Sequence, residues 1–143
     1  MTIPRERLDF LINFFNKAPL QEVFGMILSY QQNGDPVFKM PYKQSLDHTM
    51  GGIFGGTIAS LLDCAGWYAV ASRYEYWIST VDLNIQILRA SAKVDLKSTG
   101  SIVRMGNKIA VARMDVYEDK KDGTHLATGT GVFSVSSIPI SSV

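Results

Sequence analysis

The stretch GGTIASLLDCAGWYAVAS, residues 55–72, carries one charged side chain, Asp63. The neutral run begins earlier: from Thr49 to Ser72 only Asp63 is ionised. No proline interrupts it, and its length predicts a helix over roughly 55–73. A helix apolar on nearly all sides has to be covered on nearly all sides. The span is long enough to invite a transmembrane reading. Glycines at 51, 52, 55, 56 and 66, the mid-span Asp63 and the lack of a basic N-terminal flank argue instead for a helix buried in a soluble protein. A lone carboxylate in such surroundings is costly unless it is paired, solvated or protonated. Asp63 is therefore the residue to explain.

Outward from the helix the pattern changes period. Upstream, Phe24, Met26, Leu28 and Tyr30 alternate along 23–31, the turn signal NGDP follows at 33–36, and VFKMPY completes a predicted hairpin. Pro41 places that second strand at an edge or ends it. Downstream, TVDLNIQIL sets Val81, Leu83, Ile85 and Ile87 on one face. GSIVRMG and NKIAVARMDVYED follow, joined at Gly106-Asn107, and KKDG makes a further turn. In the last strand Ala127, Gly129, Gly131, Phe133 and Val135 share a face, with small residues where a helix would lie close. Residues 4–16 read as a short amphipathic helix with Leu8, Leu11, Ile12 and Phe15 on one side, packing over the body of the domain. The order is helix, two strands, a long buried helix, then three or four antiparallel strands. This is an α+β layer protein, and a curved sheet wrapped around the central helix, with a partner subunit closing the rest, satisfies the burial. That is the hotdog arrangement.

The 143 residues, 46% apolar and 19% charged, supply one domain with a proper core, residues 1–20 forming a helical segment packed on it. The net charge of +1, scattered along the chain, gives no basic stripe for nucleic acid. Asp9 and Asn13 interrupt the apolar part of the N-terminus, and no small-residue cleavage site follows, so it does not read as a signal peptide. With Cys64 as the sole cysteine no intrachain disulfide forms, which fits a reducing, cytoplasmic setting.

Residues 45–136 resemble the hotdog-fold acyl-CoA thioesterases, in particular the group around the phenylacetate-pathway thioesterase. The resemblance rests on Phe54-Gly55-Gly56 in the place of that family's His-Gly-Gly, on Asp63 nine residues after Phe54, on the strand STVDLNIQILRASA and on the spaced glycines of ATGTGVFSV. Two positions depart: Phe54 replaces the family histidine, and His48 stands six residues earlier, where an amide is usual.

The resemblance implies hydrolysis of an acyl-CoA thioester. The Gly55 N–H, at a helix start where donors are free and the dipole is positive, becomes the oxyanion donor, with Gly56 beside it. Asp63 becomes the base or nucleophile. His48 takes the place of the amide that orients water or the carbonyl, or else caps its own loop. Thr80 takes the place of a hydroxyl that holds water in some relatives; an ordinary strand threonine is the simpler reading. Phe54 lies against the substrate, and Arg89 stands where relatives place a basic residue near the CoA phosphates; Lys93, Arg104 and Lys108 are further candidates. Trp67, Tyr68 and the 74–78 segment line either an acyl pocket or a subunit contact. No metal or separate cofactor is implied, coenzyme A being part of the substrate. Cys64 points about 100° away from Asp63 around the helix and reads as core, and His125 reads as surface.

Gly55 and Asp63 lie eight residues apart, about 12 Å along a helix. Both reach one thioester only if they come from different subunits. This predicts a dimer or a dimer of dimers with two equivalent sites. Two other functions fit the same residues. A hotdog dehydratase or isomerase would use His48 and Asp63 from opposite subunits, although the Phe-Pro pair of that signature is absent beside His48. A non-catalytic acyl-CoA-binding protein would account for Phe54.

Overall fold

The structure is a computed structural model that describes residues 2–143. Helix α1 (Arg5–Asn16) buries Leu8, Leu11 and Phe15, the stripe its periodicity predicts. A single helical turn, α2 (Gln21–Phe24), follows and is ended by Gly25 in the left-handed region at φ 62°. The strand expected over 23–31 therefore starts only at β1 (Ile27–Tyr30). The Gln21 amide holds this corner: its Nε2 donates to the Met26 carbonyl at 2.7 Å and its Oε1 accepts the Met26 N–H at 2.9 Å. Strand β2 (Pro36–Met40) pairs with β1 through the predicted turn. Central helix α3 (Gly55–Ala71) is followed by β3 (Tyr76–Ile87), β4 (Leu96–Met105), β5 (Ile109–Glu118) and β6 (His125–Pro139).

The six strands make one antiparallel sheet in the order β1-β2-β4-β5-β6-β3, with α3 packed on it: the hotdog arrangement that the sequence predicts. Because β2 lies between β1 and β4, Pro41 ends the strand and marks no edge. Helix and sheet come close together at Gly100 of β4. A Cβ there would fall 2.2 Å from the Ala65 carbonyl oxygen and 3.3 Å from the Ala69 Cβ. Of the small residues expected to admit the helix in β6, Gly129 makes room for the backbone of β3 and Gly131 for the Phe133 ring. Phe15, Phe38, Leu61, Leu62, Met114 and Phe133 fill the space between the layers. Among the described residues no helix is long and apolar enough to cross a membrane.

Strand β3 carries the irregularity that matters for the site. Its register against β6 runs Ile78 with Val135 and Thr80 with Phe133, then shifts, so that Leu83 opposes Gly131 and Ile85 opposes Gly129. Directly opposed residues in an antiparallel pair point to the same side. Thr80, Leu83 and Ile85 therefore all face α3, while Val81 is the extra residue of a β-bulge and is 60% exposed. Strict alternation puts Val81 on the inner face; the bulge gives that place to Thr80.

Candidate active site

Helix α3 carries two chemically distinct ends. At its start Phe54 offers no side-chain cap, and the first N–H with a backbone partner is that of Thr57, donating to the Phe54 carbonyl at 2.9 Å. The N–H groups of Gly55 and Gly56 have no hydrogen-bond partner among the described residues. They form an open donor pair at a positive dipole end. Space is tight at Gly56, where a Cβ would meet the Phe54 ring at 2.3 Å, and easier at Gly55, where one would meet only the Ile87 Cδ1 tip at 3.3 Å.

The segment after β3 runs beside this start. Ile53 N–H donates to the Ser91 carbonyl at 2.9 Å, which brings the Arg89 stretch alongside the glycine loop. Arg89 is exposed there, and so is Phe54. His48 is exposed and engaged with its own turn. Its Nδ1 accepts the Met50 N–H at 3.1 Å, its N–H donates to the Gly52 carbonyl, and Gly52 leaves space for its ring. No hydrogen bond or salt bridge joins His48 to Asp63.

Two turns further along, Asp63 is half-buried on the α3 face toward β3. The Thr80 hydroxyl donates to Asp63 Oδ1 at 2.8 Å. This contact exists because the bulge turns Thr80 inward. Asp63 Oδ2 accepts no hydrogen bond among the described residues. Burial raises the Asp63 carboxyl above the ordinary carboxylate value, and the Thr80 hydrogen bond opposes that shift. Replacing Thr80 by Val removes the opposing contribution while keeping the shape. The Asp63 carboxyl then titrates at still higher pH, a change that a carboxyl-carbon NMR titration of wild type and variant measures; coincident curves would show that the hydroxyl does not tune the acid.

Asp63 also lines an apolar cavity of about 480 Å³, with Phe14, Trp67, Tyr68 and Trp77 on its walls. Of the aromatic residues left between pocket and interface by the sequence, Trp67, Tyr68 and Trp77 thus belong to a pocket. Tyr74 turns away and donates its hydroxyl to the Gly106 carbonyl. Cys64 lies on the same wall, where burial foremost, and the neighbouring Asp63 charge, push its thiol up to about 12. A thiol in that state is no nucleophile near neutrality. His125 sits away from this region, its Nε2 2.8 Å from Asp115 and its ring stacked on Tyr117.

The sequence reading missed Phe14 and the 17–20 turn, which form the far wall of the cavity. The available signal was Phe10 and Phe14, four residues apart on α1 and off its core stripe. The structure thus makes two groups of the expected site residues: Gly55, Gly56, Phe54 and the Arg89 segment at one end of α3, and Asp63 with Thr80 nearer its middle.

Comparison with known proteins gives a consistent picture. The profile of the thioesterase superfamily matches residues 50–124. The medium/long-chain acyl-CoA thioesterase YigI of Escherichia coli K12 is 32% identical, the alignment covering 85% of this chain and 88% of that protein. Among solved structures, the Escherichia coli PaaI protein from the phenylacetic acid degradation operon superimposes with a TM-score of 0.86 over 96% of this chain and 99% of its own, at 16% identity. A Bacillus halodurans protein solved with CoA gives a TM-score of 0.77 over 91% of this chain and 88% of its own, at 24% identity.

Proposed function

Because the chain belongs to the thioesterase superfamily, we propose that it hydrolyses acyl-CoA thioesters to the free acid and CoA. The observation that carries this is Asp63: a carboxylate fixed through Oδ1 by Thr80, with Oδ2 free of protein partners, on the wall of an apolar cavity. In the proposed reaction Asp63 activates water, or attacks the thioester carbon itself. The carbonyl oxygen gains charge against the Gly55 N–H of the partner subunit. The partner's Arg89, beside that helix start, meets the CoA phosphates in this reading.

Two contacts support a shared site. Gly55 lies against Ile87, and Asp63 against Thr80, so the two halves of the chemistry map onto two points of β3. Strand β3 is an edge strand of 12 residues whose outer edge is unpaired among the described residues. A long free edge is a template for a second strand. If two copies pair antiparallel through β3 about a two-fold axis between Leu83 and Asn84, Thr80 of one chain lies opposite the partner's Ile87. The Asp63 of one subunit then faces the Gly55 end of the other, and both sites form at once. The YigI relative is a medium/long-chain acyl-CoA thioesterase, which agrees in reaction type.

The direct test is release of free thiol from a series of acyl-CoA esters by the purified protein. Steady turnover of at least one ester, absent without the protein, is the expected result. Tight binding with no hydrolysis across the series would leave a non-catalytic binder, and hydration of an enoyl-CoA would indicate a dehydratase.

A further inference from the structure

We infer that the acyl chain runs from Asp63 along α3 into the cavity beneath α1, and that the segment Phe14–Leu20 is the wall that selects acyl groups with an extended apolar tail. This rests on Asp63 being the reacting carboxylate. If the thioester carbon sits at Asp63, the tail must leave in one of two directions. Toward the subunit contact lie the partner's Gly55 and the partner's Arg89, a polar end that takes the carbonyl and the CoA arm. The other direction is along Cys64, Trp67 and Tyr68, further along the same α3 as Asp63, and these line the cavity. A volume of about 480 Å³ falls within the usual range for small-molecule sites, about 300–1,000 Å³. Among the described residues Asp63 and Lys17 bear the only charged side chains on its wall, and Lys17 is exposed.

The cavity is preformed. The Trp67 indole N–H donates to the Ile78 carbonyl at 2.8 Å, which fixes the ring. Phe14 stacks on Trp67 with ring centres 6.3 Å apart and planes within 4°, and Trp77 meets Trp67 edge-on at 5.4 Å. Helix α1 is held in place from its other end, where the Arg7 guanidinium donates to the carbonyls of Ala71, at 2.8 Å, and of Tyr74. The turn after α1 closes the far side with Ala18 and Leu20. An acetyl group would stop at the cavity mouth, whereas a longer tail displaces water from apolar walls.

Each added methylene therefore raises kcat/KM roughly fourfold until the space is filled. Octanoyl-CoA is the preferred substrate over butyryl-CoA, and acetyl-CoA is the poorest. Ala18→Phe places a ring on the wall and lowers the octanoyl-to-butyryl ratio of kcat/KM by about tenfold or more. Leu20→Ala opens the same wall and moves the preference toward longer tails. Both tryptophans of the chain, Trp67 and Trp77, line the cavity, so intrinsic fluorescence reports on it independently of turnover.

The experiment combines the hydrolysis series for wild type and the two wall variants with a fluorescence titration of Asp63→Asn by octanoyl-CoA and by CoA alone. A chain-length-dependent rate, a ratio shifted in opposite directions by the two variants, and a saturable response to octanoyl-CoA but not to CoA support the inference. Hydrolysis indifferent to the tail, or ratios unmoved in variants with the wild-type unfolding midpoint, overturns it and leaves the thioesterase reading standing. If wild type hydrolyses nothing, that reading fails, and the titration decides the cavity alone: no response to octanoyl-CoA overturns the inference as well.

Discussion

Asp63→Asn lowers turnover of the best acyl-CoA substrate by about 10² or more. The amide keeps the volume of the carboxyl and still offers an oxygen to the Thr80 hydroxyl, so the local packing of α3 on β3 is retained. What disappears is the basicity that activates water and the nucleophilic oxygen. Stability should move the other way. The folded-state pKa of Asp63 is raised, mainly by burial. Folding therefore favours the protonated form, and a destabilising cost develops as pH climbs from the unfolded carboxylate value through the raised folded one, being fully present above the latter. The asparagine variant escapes that cost. At neutral pH its unfolding midpoint should equal or exceed that of wild type, and the difference should vanish in acid, where both proteins are neutral at this position. Turnover and urea denaturation measured together distinguish a reacting carboxylate from a structural one. Near-normal turnover in the variant would assign Asp63 to structure alone.

The second large effect concerns the other end of α3. Gly55 is the first residue of the helix, where proline is tolerated because its missing N–H has no helical partner to lose. Phe54, at φ −61° and ψ 135°, already has the extended conformation preferred before proline. Gly55→Pro thus deletes one N–H with little disturbance, meeting only the flexible tip of Ile87. A lost oxyanion donor lowers turnover by about 10²–10³. In a shared site the two defects fall on different halves. When Gly55→Pro and Asp63→Asn subunits are mixed after unfolding, each hybrid dimer regains one intact site. Random pairing makes half of the dimers hybrids, so activity returns to about a quarter of the wild-type level. Mixtures no more active than the two inactive parents would place both groups in one chain's site and refute the shared arrangement.

How much of this was legible in the sequence depended on whether the cause was local. The run from Thr49 to Ser72, charged only at Asp63, carried the covered helix that the structure places at Gly55–Ala71, and the turns at 33–36, 106–107 and 120–123 divided the strands correctly. The start of β1 was misplaced because Phe24 fits a period of two as well as it fits a helical turn. What separates the readings is the left-handed Gly25 and the Gln21 bonds that follow from it. Thr80 read most simply as an ordinary strand threonine, because alternation assigned the inner face to Val81. A bulge depends on the partner strand, and nothing within β3 announces it. The cavity was hidden for a similar reason. Its walls come from α1, α3 and β3, which are far apart in the chain, and Phe14 gains its meaning only when stacked on Trp67.

The bulge in β3 separates two kinds of change that a family can accumulate. Val81 points to solvent, so many side chains are acceptable at that position. Its loss is a different matter. Without residue 81, Thr80, Asp82 and Leu83 oppose Phe133, Val132 and Gly131 one for one, so the strand regains its two-residue rhythm while Thr80, Leu83 and Ile85 keep the inner face. A second deletion between Thr80 and Leu83 breaks that rhythm: either Leu83 and Ile85 leave the core, or Thr80 swings away from Asp63. The strand therefore absorbs replacement at residue 81, and even its loss, but not the loss of two residues.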